Sequence, residues 1–164
     1  MEQKVAPKRR TKSAEQALQA LMRQCARSER SSGDALRLMR QWGVADEDAR
    51  KVLAKLRADR FIDDARYAEA YTRDKLNLSG WGAYKIKTAL RAKGVSKDII
   101  DEVVGPMIAE TNMAERLEEI MRRRMRTLKY SSAYEAKTKL IRFAASRGYD
   151  IDEAIECASK IVEE

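Results

Sequence analysis

The chain has 164 residues and a formal net charge of +8, and it contains no histidine. Without histidine, serine–histidine and cysteine–histidine catalysis and histidine-based zinc sites are excluded. Helix-forming residues predominate, prolines number only two, and alternating β-branched runs are too short for strands, so the sequence predicts an all-helical protein. A charged fraction of 37% with 6% aromatic residues favours several small helical units over one large core.

The sequence also predicts where the protein works. Its apolar runs are too short for a transmembrane helix, and its basic N-terminus lacks the apolar core of a signal peptide. Cys25 and Cys157 lie far apart, so no disulfide framework is expected. Neither a P-loop nor a dinucleotide-binding glycine motif occurs. We therefore expect a cytoplasmic protein without cofactor, metal or membrane attachment.

The segment 1–12 is strongly basic. It contains one carboxylate, Glu2, and five cations: Lys4, Lys8, Arg9, Arg10 and Lys12. This composition predicts a disordered, solvated tail.

Hydrophobic periodicity after this tail predicts nine helices. The first begins at Ser13 and ends between Ser28 and Ser32. The second runs from about Gly33 to Gly43. The third begins after Ala45, with three carboxylates in its first turn, where the helix dipole favours anions.

The next three helices are expected from about Asp63 to Leu78, from about Trp81 to Lys93, and from Ser96 to a break at Gly105-Pro106. Of the last three, the seventh is a long helix with Pro106 in its first position. The eighth spans about Ser132 to Ser146, and the ninth starts near Asp150.

The glycines Gly43, Gly94 and Gly148 mark an internal repeat of 51 and then 54 residues. When these glycines are superposed, small or apolar residues recur at four offsets. The aligned sets are Met39, Leu90 and Ala144; Ala49, Ile100 and Ala154; Val52, Val103 and Cys157; and Leu53, Val104 and Ala158. The pattern predicts three tandem three-helix repeats in an elongated, modular array, covering 13–62, 63–105 and 106–164. A string of unrelated amphipathic helices with glycine stops is the alternative.

Two motifs near the centre of the chain have two interpretations each. Asp63-Asp64 could be a pair of Mg²⁺ ligands, but an N-cap followed by a first-turn carboxylate is favoured. Trp81, between two glycines, could stack on a nucleobase, or it could fill the gap between two helix ends, which we favour.

Two groups of basic residues are candidate surfaces for an anionic partner. The first lies on the predicted fifth helix and comprises Lys85, Lys87, Arg91 and Lys93, with Lys97 just beyond it. The second comprises Arg122, Arg123, Arg124 and Arg126, with Lys129, Lys137, Lys139 and Arg142 following. Part of the second group complements a helix C-terminus, yet four arginines within five residues exceed what that needs. An uncompensated basic face suggests a phosphate-bearing or acidic ligand.

The centre of the chain resembles the RecX family, regulators of the bacterial RecA recombinase. The residues that carry this resemblance are Phe61-Ile62-Asp63-Asp64, Arg66-Tyr67-Ala68, Tyr71, Arg73, Gly80-Trp81-Gly82, Ile86, Leu90, Arg91, Lys93 and Gly94-Val95, with Arg30-Ser31, Leu36 and Gly43-Val44 further upstream. The match is close over about residues 14–104 and looser in the last third. The basic tail has no counterpart in the family.

This resemblance implies three tandem three-helix repeats in a curved molecule that lies along the groove of the RecA filament on single-stranded DNA. Such proteins are not enzymes. They suppress the ATP hydrolysis and strand exchange of the recombinase, and members also bind DNA, for which double-stranded DNA is a second possible ligand here. Arg66 and Arg73 of the matching segment join the two basic groups as candidate binding residues. We expect a monomer.

Two other functions compete with this one. A helix-turn-helix module that binds DNA independently of RecA is conceivable from the short turns at Gly43 and Gly94. An enzyme based on carboxylates would need two acidic groups that converge from separate helices.

Overall fold

The computed structural model describes residues 11–163, and every regular element within that range is helical. The α-helices are α1 (Ala14–Arg27), α2 (Ser32–Gln41), α3 (Asp46–Ala58), α4 (Asp64–Asp74), α5 (Ala83–Ala92), α6 (Lys97–Ile99), α7 (Gly105–Ala109), α8 (Met113–Thr127), α9 (Ala133–Ser146) and α10 (Ile151–Glu163). Two π-helical segments, Lys75–Ser79 and Ile100–Val104, directly follow α4 and α6. The all-helical prediction is thus confirmed. Of the predicted basic tail, residues 1–10 lie outside the described range.

Side-chain caps begin most of the long helices. Ser13 and Gln16 form a reciprocal capping box at α1, in which each side chain accepts a hydrogen bond from the backbone of the other. The serine hydroxyl of Ser31 caps α2 and that of Ser132 caps α9. Asn112 caps α8 in the same way. These short polar side chains satisfy backbone N–H groups that have no partner inside the helix, so the helix starts are local features of the sequence.

The glycines Gly43, Gly94 and Gly148 end α2, α5 and α9 with left-handed φ angles of 74°, 81° and 88°. The residues four positions before and six positions after each of these glycines are all buried. The aligned positions therefore occupy equivalent places in the core, and the chain is an array of three-helix repeats.

One predicted break is wrong. Gly105-Pro106 does not end the sixth helix, because the backbone stays helical from α6 through α7 and the interruption falls at residues 110–112. Gly105 has helical dihedral angles, φ −53° and ψ −53°, and its N–H donates to the carbonyl of Ile100, five residues back. Proline cannot donate to the carbonyl four residues back and collides with it in a regular α-helix. The wider π turn just before Pro106 accommodates the ring.

The chain forms two compact units. Within the described range, the first comprises residues 11–67 together with Lys93–Val95, and the second comprises Ala68–Ala92 and residues 96–163. The core of the first unit is an apolar cluster from α1, α2 and α3, centred on Leu21, Met39 and Leu56. A second cluster from α8, α9 and α10 contains Met121 and Leu140.

Close contacts between glycines recur in the two units. In the first unit, a Cβ on Gly33 would overlap the carbonyl oxygen of Lys93 and lie 2.8 Å from Cα of Gly94. In the second unit, a Cβ on Gly82 would lie 2.6 Å from the carbonyl carbon of Gly148. Each contact places the start of one helix against the glycine stop of the following repeat, at a distance that only glycine allows.

Candidate nucleic-acid interface

The basic residues of α5 are partly engaged by the protein itself. The Lys85 ammonium donates a 2.9 Å hydrogen bond to the carbonyl of Ser146 and lies 4.4 Å from the centroid of the Trp81 ring. Lys87 and Arg91 are exposed. Lys97 donates a 2.6 Å hydrogen bond to Asp101, which holds the pKa of this carboxyl below its ordinary value, and the charges of Lys87 and Arg91 add to the effect. The face is therefore less basic than the sequence suggests.

Three other predicted binding residues also have partners within the protein. Lys93 lies 4.0 Å from the Asp34 carboxylate. Arg73 pairs with Glu69 at 2.6 Å. The guanidinium of Arg66 pairs with Glu29 at 2.6 Å and donates to the carbonyls of Arg60 and Phe61. A role for these three residues in binding a partner stays a prediction.

The adjacent carboxylates Asp63 and Asp64 both act as helix caps. Asp63 accepts a 3.1 Å hydrogen bond from the N–H of Arg66 at the start of α4. Asp64 accepts a 2.8 Å hydrogen bond from the N–H of Ser32 in the first turn of α2. Its partner lies 32 residues earlier, so local sequence could not reveal it. Among the residues that the structure describes, no group of three histidine, cysteine, aspartate or glutamate side chains could hold a metal ion.

Trp81 is half-buried and surrounded by cations. Its ring meets that of Tyr71 edge-on at 6.3 Å between centroids, and the ammonium groups of Lys75 and Lys85 each lie 4.4 Å from its centroid. The ring packs between helix ends as we favoured, and it also positions two lysines through cation–π contacts.

The arginines at the end of α8 do not form one cluster, because successive residues of a helix point in different directions. Arg122 and Arg126 line a surface pocket with Met125, Tyr130 and Ile161. Arg123 and Arg124 line a different cavity, on the side of the helix that faces the end of α9. The predicted second group is thus divided between two surfaces.

We call this cavity on α8 and α9 the arginine groove. Its volume is about 440 Å³. The π-helical segment after α4 lines one end of it, together with four arginines, one carboxylate and one aromatic ring. These side chains are Arg116, Arg123, Arg124, Arg147, Glu119 and Phe143. Glu119 is paired with Arg123 at 3.1 Å. The groove therefore keeps a positive excess that could bind phosphate groups.

Phe143 holds two of these arginines in place. The guanidinium carbons of Arg124 and Arg147 lie 5.6 Å and 5.0 Å from the centroid of its ring. Neither arginine forms an ion pair with any residue in the range 11–163, so their charges stay available for a ligand. Cation–π contacts of this kind restrict the side chains without neutralising them.

An adjoining groove extends the basic surface along α9. It shares Arg124, Thr127 and Phe143 with the arginine groove and adds Lys129, Lys139 and Arg142. Lys139 is engaged by Glu135 at 2.8 Å and by the carbonyl of Lys129. Lys137, which the sequence also suggested, pairs instead with Glu163 at 3.1 Å.

Sequence reasoning missed Arg116, Phe143 and Arg147. Arg116 and Arg123 lie seven residues apart on one face of α8, a spacing that was visible in the sequence. Arg116 donates to the carbonyl of Leu76 and the side chain of Asn77, and so closes the π-helical end of the groove. Phe143 and Arg147 enter the site only because α9 packs beside α8.

The fold and the groove define a class, all-helical repeat proteins with a cationic surface, and comparison with known proteins identifies the family. The model for the second three-helix domain of RecX matches residues 63–104, and the model for the third matches residues 110–157. Together they cover more than half of the chain, which therefore belongs to the RecX family.

Curated relatives agree with this assignment. A regulatory protein RecX of Clostridium botulinum is 34% identical over 112 residues, which are 67% of this chain and 51% of that protein. One from Haemophilus influenzae is 29% identical over 129 residues, 78% of this chain and 83% of the relative. This chain thus spans about half the length of the clostridial relatives that it matches.

Solved structures share the fold. The crystal structure of RecX from Lactobacillus salivarius superposes with a TM-score of 0.73 at 18% identity, covering 92% of this chain and 97% of the other. A second crystal structure of a regulatory protein RecX gives 0.70 at 22% identity, covering 92% and 72%. Within residues 11–163, no helix is long and apolar enough to cross a membrane.

Proposed function

We propose that this protein regulates a bacterial RecA recombinase in the cytoplasm. It binds, as a monomer, to the RecA filament on single-stranded DNA and lowers the filament's ATP hydrolysis and strand exchange. It performs no covalent chemistry of its own. The match to two successive RecX domains carries this proposal.

The arginine groove supplies a physical basis for the DNA contact. Arg124 and Arg147 offer charges that no carboxylate of residues 11–163 neutralises, and both are held by Phe143. Guanidinium groups bind phosphate oxygens in a fork geometry and stack on bases. The exposed cations Lys87 and Arg91 on α5 are the second candidate for contact with the filament.

The test is an ATPase titration. Adding the purified chain to RecA on circular single-stranded DNA should lower the rate of ATP hydrolysis at substoichiometric amounts. The pairs Arg124→Gln with Arg147→Gln and Lys87→Glu with Arg91→Glu should each weaken inhibition.

The pair Arg50→Gln with Arg57→Gln removes the same charge as the groove pair from exposed positions of α3. This control should inhibit as the natural chain does. No inhibition by the natural chain at equimolar amounts would contradict the proposal. Tight DNA binding without any effect on RecA would favour a DNA-binding module that acts independently.

A further inference from the structure

A second basic groove lies in the first unit, on α1 and the end of α2. Its volume is about 290 Å³, and it is lined by Lys12, Ala20, Arg23, Gln24, Arg27 and Trp42. No carboxylate is among these lining residues. Arg23 and Arg27 are exposed and form no ion pair with any residue between 11 and 163. We call this surface the tryptophan groove.

The tryptophan groove and the arginine groove both combine an aromatic ring with several cations. In each, an aromatic ring near the end of the second helix of a repeat carries cations over its face. Lys12 lies 5.1 Å from the centroid of Trp42, as Arg124 and Arg147 lie over Phe143. In each, arginines of the repeat's first helix also line the groove.

The first helices of the two repeats can be aligned through their buried residues. The buried residues Ala17 and Leu21 of α1 correspond to Leu117 and Met121 of α8. In this register Arg23 matches Arg123, and Gln24 matches Arg124. The C-cap residues of the two second helices, Trp42 and Arg147, also correspond, because each precedes a glycine stop and lines its groove.

The middle repeat does not carry an arginine at the aligned position of its first helix. Its first helix, α4, buries Ala68 and Thr72 in the same register. At the position where α1 and α8 have an arginine, α4 has Asp74. The ammonium group of the next residue, Lys75, lies 4.4 Å from the centroid of the Trp81 ring. A three-helix repeat therefore folds without arginines at this place. Their presence in the first and third repeats needs another explanation.

The chemistry of both grooves fits single-stranded nucleic acid. Exposed guanidinium groups bind phosphates, and the neighbouring ring and guanidinium planes offer surfaces on which unpaired bases stack. An acidic peptide would use the charges but not the aromatic ring beside them. We propose that the protein holds a single strand at two separate grooves, one in each unit, each contacting phosphates of its own stretch of the strand.

This inference rests on the proposed function only in the choice of ligand, since strand binding itself needs no recombinase. It adds Arg23, Arg27 and Trp42 to the residues that contact the strand. It also assigns no strand contact to the corresponding face of α4, where Asp74 replaces arginine.

The experiment measures the salt dependence of binding to a fluorescent oligothymidylate by anisotropy. On single strands each phosphate contact contributes about 0.7 to the slope of log affinity against log salt. Arg23→Gln with Arg27→Gln should reduce the slope by about 1.4, and Arg124→Gln with Arg147→Gln by a similar amount. The four changes together should reduce it by about 2.8. The control pair Arg50→Gln with Arg57→Gln, in the first unit, should leave the slope unchanged.

Two outcomes would overturn the inference. An unchanged slope for the Arg23 and Arg27 pair, in a variant whose thermal unfolding matches the natural chain, would show that the tryptophan groove does not bind the strand. Equal affinity for polyglutamate with the same response to the variants would assign both grooves to acidic protein segments. If the slopes change as expected while the RecA ATPase is unaffected, this inference stands and the proposed function fails.

Discussion

Arg66 and Arg116 show how the structure uses single cations. Arg66 donates to the carbonyls of Arg60 and Phe61 in a turn where Arg60 has a left-handed φ of 59°. Arg116 donates to the carbonyl of Leu76 in the π-helical segment. Both guanidinium groups satisfy backbone groups left open where a regular helix ends. Both arginines therefore have a structural role, and their charges are only partly available to a partner.

At the residue scale, Leu90 provides a test of the core. Leu90→Ala should destabilise the protein by about 2–5 kcal/mol, because Leu90 is fully buried and its removal leaves a cavity. Leu78→Ala is the matched control, since Leu78 is 83% exposed, and it should change the free energy of unfolding by less than about 0.5 kcal/mol. Urea unfolding followed by circular dichroism measures both. Equal effects of the two substitutions would contradict the assignment of helix faces.

At the element scale, the N-terminus of α9 concentrates several interactions on Glu135. Its carboxylate accepts hydrogen bonds from the Lys139 ammonium, at 2.8 Å, and from the hydroxyl and N–H of Ser131, at 2.6 Å and 2.7 Å. The bond from Lys139, followed by those from Ser131, lowers the pKa of Glu135 from 4.5 to about 2. The Ser132 hydroxyl caps the same helix. This end of α9 is thus stabilised by a charged carboxylate.

The pH dependence of stability should report this carboxylate. Since the pKa is about 2 in the folded protein and 4.5 in the reference state, the unfolded chain binds more protons between these values. The stabilisation is complete above about pH 4.5 and is lost as the pH falls towards 2.

Glu135→Gln removes the titrating group, so the thermal midpoint of the variant should fall less steeply than that of the natural chain over this range. Differential scanning calorimetry at several pH values measures the slopes. Ser131→Ala keeps the carboxylate but removes the hydroxyl bond, and it should give an intermediate slope. Identical slopes for all three proteins would contradict the assignment.

At the scale of the whole molecule, the glycine contacts relate successive repeats to one another. Ser31 supports the contact in the first unit, since its hydroxyl donates a 2.7 Å hydrogen bond to the carbonyl of Lys93, beside Gly33. In the second unit the N–H of Gly82 donates to the carbonyl of Arg147 at 2.6 Å. In both units, two backbone segments thus approach each other so closely that a side chain would not fit between them.

Substituting these glycines tests the junction. Gly33→Ala and Gly82→Ala should each destabilise the protein by about 1–3 kcal/mol, because the added methyl group meets backbone atoms that cannot move aside. Alanine usually favours a helix over glycine, so propensity alone predicts the opposite sign for Gly33. Gly105→Ala is the control: Gly105 has helical angles and open space around it. Chemical unfolding that finds Gly33→Ala as stable as Gly105→Ala would contradict the junction.

Much of the fold was predictable because its signals are local. The caps at Ser13 and Ser132 act over three residues, and the glycine stops at Gly43, Gly94 and Gly148 need only their own φ angles. Apolar periodicity then sets which face is buried. The break expected at Gly105-Pro106 was wrong because a π turn, which depends on the hydrogen bond between Gly105 and Ile100, has no clear sequence signal.

The amino-acid sequence by itself determined that the protein is helical, repetitive, basic and without histidine, since composition and periodicity depend only on the order of residues. Only the tertiary structure decided which cations are available to a ligand. Asp101 faces Lys87 and Arg91, whereas Arg124 and Arg147 meet a phenylalanine ring and no carboxylate of the described residues. The net charge of a surface depends on which side chains from distant helices lie next to each other, and packing sets those neighbours.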